Sequence, residues 1–247
     1  MAITGTDRGL ASSSVNATTW AFSPTSNFAA GSFAVCVIAM NNSNTDGTAY
    51  STFTLTDSLG NTWTRRISPL YDPGLVNAGV EGAIFTTPMD GGTLLTGTVI
   101  TATTNITCSR KTMTIMEVVP TGGSTISYVD GGVGVGSNTI SPTITTGSIT
   151  SGNMVIAALF YEWETVPITP DADTTNGSWS TQQSTAQGTT TNGIAVASQR
   201  KVVTATATQT YNVTLDNVAD CILGWIQLTE TAGGGASTKY LTLLGVG

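Results

Sequence analysis

The side chains whose type and spacing could do chemistry in this chain are carboxylates. Glu117 and Glu230 each stand near the close of a strand-like run, "KTMTIMEVV" and "CILGWIQLTE". Two carboxyl groups in matching positions could act as the acid and base of a glycosidase if the fold held them about 5 to 9 Å apart. Nothing in the sequence brings the two together, so each is expected to cap or pair locally. A second group lies in "YEWETVPITPDAD", residues 161 to 173, where Glu162, Glu164, Asp171 and Asp173 surround Trp163. Carboxylate oxygens of this kind suit calcium, and a neighbouring indole suits a sugar ring. The regular Asp spacing of a calcium loop is missing, however, and Asp beside a turn is an ordinary turn former. Asp46, Asp57 and Asn61 invite the same suggestion and meet the same answer. No metal ligand set is expected.

Other catalytic chemistry lacks its parts. The chain contains no histidine, the commonest general base and metal ligand. Serine and threonine are abundant, but no S-x-x-K or G-x-S-x-G accompanies them, so none has an activating base. "GGVGVG" at 131 to 136 has the look of a nucleotide loop but runs on into "SNTISPTITTGS" rather than a helix. The expectation is no catalytic residue and no cofactor. Cys36, Cys108 and Cys221 are widely spaced and odd in number, which fits small core residues rather than a disulfide framework.

The elements that would carry these groups are strands. Apolar residues alternate with Thr in "STFTLTD", "TGTVITATT" and "YNVTLD", the period of a half-buried strand. "FAVCVIAM", "MTIMEVV", "MVIAALFY" and "CILGWIQL" are apolar at nearly every position and predict central strands covered on both faces. With 247 residues, 9% of them charged, and a net charge of −7, the chain can bury a core and offers little to a phosphate backbone. Nucleic acid is therefore not an expected partner. No apolar stretch is long enough for a membrane helix, and "MAITGTDRGLASSS" has no signal-peptide pattern, so a soluble protein made without export is expected.

One short motif recurs. "DSLGNTW" at 57 to 63 returns as "DTTNGSW" at 173 to 179: Asp, a turn carrying Gly60 and Asn61 or Asn176 and Gly177, then Trp63 or Trp179. Positive φ at Gly60 and at Asn176-Gly177 would make each a tight connection between strands, with Asp57 and Asp173 accepting backbone N–H bonds. Around it, Gly31 with "SFAVCVIAM" matches Gly152 with "NMVIAALFY", Gly82 matches Gly193, and Cys108 to Glu117 match Cys221 to Glu230. Four matches in one order predict an internal duplication. The expected architecture is all-β, with two tandem antiparallel, jelly-roll-like β-sandwich units at 1–122 and 123–231. A Gly hinge and apolar arm follow at 232–247.

These elements resemble a family of repeat modules in bacterial surface proteins and phage proteins: a hydrophobic strand after Gly, a D-S-x-G-N-T-[YW] turn, a Thr/Val strand, and a closing strand ending in an acidic residue. Here they are "GSFAVCVIAM", "DSLGNTWT", "GTVITATT" and "TIMEVVP", within residues 28 to 230. Val118-Val119-Pro120 after Glu117 departs from the family's Glu-Tyr-Ser-Gly ending. The resemblance implies jelly-roll or immunoglobulin-like sandwiches with structural or adhesive rather than enzymatic roles.

The combined expectation is a bacteriophage virion protein, a capsid decoration or cement protein assembled in the host cytoplasm and seated on the virion surface. Its partners would be the major capsid protein or other virion proteins and further copies of itself, a homotrimer preferred. Tyr240, Leu241, Leu243, Leu244 and Val246 would form the inter-subunit arm by strand addition. The competing expectation is a carbohydrate- or receptor-binding module in which Trp63, Trp163 or Trp179 stacks on a surface glycan.

Overall fold

The computed structural model describes residues 3–41, 52–74, 79–162, 168–188 and 193–232. Among them the protein is all-β, and the strand ladders are antiparallel. The first half contains β1 (Thr4–Ser13), β2 (Ala17–Phe22), β3 (Phe33–Asn41), β4 (Phe53–Asp57), β5 (Thr64–Ile67), β6 (Leu70–Tyr71), β7 (Val80–Thr87), β8 (Ile100–Cys108) and β9 (Lys111–Val119). The second contains β10 (Thr125–Val133), β11 (Ser137–Thr139), β12 (Thr143–Ile149), β13 (Met154–Tyr161), β14 (Ile168–Thr169), β15 (Gln183–Gln187), β16 (Ile194–Val202), β17 (Ala207–Asn212), β18 (Thr214–Leu215) and β19 (Ala219–Thr231).

Each half has a large sheet and a small one. The large sheets run β1-β9-β3-β7-β5, with β6 also on β7, and β10-β19-β13-β16-β15, with β11 also on β19. The small sheets are β2-β8-β4 in the first half, and β12-β17 and β14-β18 in the second. The two large sheets therefore share one strand order, β1 answering to β10, β9 to β19, β3 to β13, β7 to β16 and β5 to β15.

The runs without alternation are explained by the layers. Ala34, Cys36, Ile38 and Met40 of β3 face the small sheet, packing with Trp20, Phe22, Phe53 and Leu55. Phe33, Val35, Val37 and Ala39 face the other way, into a core shared with Met154, Ile156, Ala158 and Phe160 of β13. The remaining face of β13 packs on Ile144, Ile149, Tyr211 and Leu215 of the second small sheets. The stack is thus small sheet, large sheet, large sheet, small sheets, and the strands between layers are apolar on both faces because both faces are covered. Where only one face is covered the alternation is clean: Phe53 and Leu55 of β4 are buried, while Thr54 and Thr56 are exposed.

The central interface is close-fitting. A Cβ on Gly82 would overlap the Phe160 ring, and one on Gly224 would overlap the Ile67 side chain. The Thr114 and Ser198 hydroxyls meet at 3.0 Å inside it, so these buried polar groups satisfy one another. At one margin Arg200 of β16 pairs with Asp7 of β1 at 2.5 Å. At the other, the Arg66 guanidinium lies 4.5 Å from the centre of the Tyr128 ring. Each contact joins the two halves.

The ladders correct three of the residue matches drawn from sequence. Met40 stands opposite Lys111, and Tyr161 opposite Cys221, so Cys221 answers to Lys111 while Cys108 ends a strand of the small sheet. Ala34 faces Glu117 and Val155 faces Gln227, which makes Gln227, not Glu230, the counterpart of Glu117. Likewise Ala39 faces Gly82 and Phe160 faces Val196, so Val196, not Gly193, occupies the Gly82 position. Each match was displaced by three residues, an odd slip that exchanges the two faces of a strand.

Candidate functional site

The "DSLGNTW" turn is built around one saturated carboxylate. Asp57, the last residue of β4, accepts the Leu59 and Asn61 backbone N–H groups on Oδ1 at 2.8 and 3.3 Å. Its Oδ2 accepts Asn61 Nδ2 at 3.0 Å and Trp63 Nε1 at 2.7 Å. Gly60 adopts φ 78°, the left-handed conformation that lets the chain double back between these bonds. Asn61 then ties the turn to the segment before β8: its Oδ1 accepts the Gly91 and Gly92 N–H groups at 2.7 and 2.9 Å. Asp90 accepts both the N–H and the hydroxyl of Thr62 at 2.7 Å, which draws its carboxyl below the usual range. With its lone pairs committed in this way, Asp57 fixes its own turn, Asn61 joins that turn to the next loop, and the carboxylate has little left for a cation.

The second turn solves the same backbone problem with different bonds. Asn176 and Gly177 take φ 57° and 111°. Asp173 accepts the Thr175 N–H at 2.9 Å and the Lys201 ammonium at 3.0 Å. Those two contacts, the backbone bond first, bring its carboxyl down to about 2. Trp179, 8% exposed, packs against Tyr211 with ring centres 5.0 Å apart and lies 5.4 Å from Lys201 Nζ. Its ring therefore has no open face, and Trp179 is removed from the expected stacking residues. Trp63 is half-buried and pinned through its N–H to Asp57. Trp163, Glu164, Asp46 and the arm residues Tyr240, Leu241, Leu243, Leu244 and Val246 lie outside the described residues.

Among the described residues the other carboxylates do not converge. Glu117, fully buried, accepts the Ala29 N–H at 2.5 Å and the Ser32 hydroxyl at 2.6 Å, and pairs with the Arg8 guanidinium. Glu230 accepts the N–H and hydroxyl of Thr121 beside a cleft of about 220 Å³ lined by Ser124, Ser151, Gly152 and Asn153. Asp171, 4% exposed, accepts the Asp173 and Asn212 N–H groups at 2.7 and 2.8 Å. No group of three or more possible metal ligands forms among the described residues.

No family model, curated protein or solved structure matches the chain. The arrangement of its own side chains carries the functional argument.

Glu162, which the sequence groups with Glu164, Asp171 and Asp173, crosses to the first half and accepts the Gly79 N–H at 2.8 Å. Burial pushes it up to about 7; the Gly79 bond and Arg110 oppose the rise, while Asp220 and Asp72 add to it. A carboxyl raised in the folded state holds its proton there when the unfolded chain has already lost it. Its contribution is fully present below about pH 4.5 and is lost as pH rises through about 7. Glu162→Gln keeps an acceptor for Gly79 and removes that dependence. Urea titrations at pH 5 and pH 8 should show the wild type losing roughly 2 to 3 kcal/mol more than the variant over this interval.

Proposed function

We propose that this protein is a structural component of a bacteriophage virion, a decoration or cement protein that binds the capsid surface and neighbouring copies of itself. The observation that supports a scaffold rather than an enzyme is the use made of its carboxylates. Asp57, Glu117, Glu162, Asp171 and Glu230 each accept a backbone N–H, and those from Ala29, Gly79, Asn212 and Thr121 come from distant parts of the chain. Groups positioned this way fix the fold. Two halves clamped through one core form a stiff body, which suits a part that must transmit load between capsid subunits. Residues 240–246 serve as an arm that adds a strand to a neighbour's sheet, preferably around a trimer. Deletion of 232–247 should abolish particle binding and self-association while leaving the far-ultraviolet circular dichroism unchanged. Undiminished assembly in that truncation would defeat the arm.

The glycan- or receptor-binding reading is favoured by one feature. Leu59, Leu95 and Val99, exposed at 40%, 48% and 44%, belong to the turn of half-buried Trp63 and the segment leading into β8. A saturable change in tryptophan fluorescence on titration with oligosaccharides would support it; a flat titration returns the choice to the scaffold.

A further inference from the structure

We infer that the acceptor for the arm is the edge that β10 and β11 leave unpaired among the described residues, and that its occupant is residues 239–246 of a second copy of this chain. This rests on the arm proposed above and names the surface it meets. The edges of the large sheets differ in how they are guarded. β1 is interrupted by a bulge at Arg8, whose guanidinium is held by Glu117. β5 is four residues long, carries Arg65 and Arg66, and is itself bulged. β15 has five residues, none aliphatic beyond Ala186. Charge, brevity and bulges are the usual defences of an edge against pairing.

The β10–β11 edge is the least defended of the four. Residues 125–139 follow β19 through two ladders, joined by the Gly134 N–H bond to the Leu223 carbonyl at 2.9 Å. Within 125–139 there is no Lys, Arg or Pro, and Asp130 is the only charge. Val129, Val133 and Val135 stand 48%, 46% and 93% exposed. A bulge at Val129 interrupts the strand once, leaving Asp130 to Val133 in regular register with β19.

The chain itself contains a segment that fits. "KYLTLLGV", 239–246, is apolar and β-prone, and at about 27 Å extended it matches the length of β10. β19 ends at Thr231, directly opposite Thr125 at the start of β10. Docking of the arm on its own β10 would make it run parallel to β10, against the antiparallel habit of this sheet. Delivered from a neighbour, it can run antiparallel, the slightly stronger pairing. Such a head-to-tail contact closes into a ring when the rotation allows, which accommodates the trimer.

Two measurements on the full-length chain test this. Val133→Lys with Val135→Lys places charges on exposed positions and should weaken self-association about tenfold or more by sedimentation, without loss of circular dichroism. Separately prepared Val133→Cys and Leu243→Cys chains, mixed under mild oxidation, should form a covalent heterodimer; Cys36, Cys108 and Cys221 are buried and should not interfere. A crosslink that forms only within one chain carrying both substitutions would overturn the second copy as occupant. Unchanged association in the double-Lys variant would overturn the acceptor edge. If deletion of 232–247 still abolished assembly in that event, the arm would stand and only its acceptor would fall. If the deletion itself left assembly intact, arm and acceptor would fall together.

Discussion

Gly82→Ala should destabilise the protein by about 1 to 3 kcal/mol, and Gly82→Leu should prevent folding at 37 °C. An added Cβ would overlap the Phe160 ring across the central core, a close-packed cluster that also contains Val37, Ile84 and Ile156 and leaves the ring little freedom to move. Phe160 is fully buried, so Phe160→Ala alone should cost about 3 to 5 kcal/mol. The two sites touch, and their effects should not add. With Phe160 truncated the clash at Gly82 is gone, and Gly82→Ala in that background should cost nearly nothing. Urea unfolding of the four proteins measures the coupling. An additive pair would mean that the large sheets are not packed at this spacing.

That core was the least legible part of the chain. Strand positions follow from period and composition, because β-branched and apolar residues alternating with Thr have few other uses. "FAVCVIAM" and "MVIAALFY" showed that both faces were covered, but an apolar face does not say whether its cover is the chain's own small sheet or the other half. Gly82 and Gly224 are the residues that record the close approach of the two large sheets. In a Thr/Gly-rich sequence they read as turn formers or weak points within strands, and their reason is visible only once Phe160 and Ile67 are opposite them.

The same limit applied to the candidate site. Asp57, Gly60 and Asn61 were identifiable because an Asx turn is a local object, held by bonds two to four residues apart. Trp63 and Trp179 looked equivalent because their local spellings agree. Their surroundings differ: Trp179 is enclosed by the distant Lys201 and Tyr211, whereas Trp63 is tied to Asp57 of its own turn and packs at the margin of the first-half core, so one is buried and the other only half-buried. Matching by letter likewise aligned Glu117 with Glu230. The ladders instead set Glu117 at the place where the second half carries the neutral Gln227, and that difference has an energetic consequence.

Glu117→Ala is expected to cost about 3 to 5 kcal/mol, among the largest effects of any single polar substitution here. Glu117 is fully buried in β9, yet its carboxylate faces donors from two other segments. Arg8 Nε reaches it at 2.8 Å from the bulge of β1, and the Ala29 N–H and Ser32 hydroxyl reach it from the turn before β3. Removing the carboxylate leaves a half-buried guanidinium, whose other contacts are Ser26 Oγ at 3.3 Å and the Phe28 ring at 5.8 Å, together with an orphaned N–H. Glu117→Gln keeps the shape but offers one acceptor oxygen and turns an amide toward donors, so it should fall between, at about 1 to 3 kcal/mol. If the unpaired cation causes most of the loss, Arg8→Met in the Glu117→Gln background should recover part of it, because a matched neutral pair replaces a broken ionic one. Hydrogen exchange supplies the second reading. Amides of β1 from Gly9 to Ser13 should exchange faster in Glu117→Ala than in the wild type, since the bulge is anchored through Arg8, whereas amides of β13 should slow or quicken only with global stability. Equal acceleration of both strands would show that Glu117 supports the whole core and does not pin its edge.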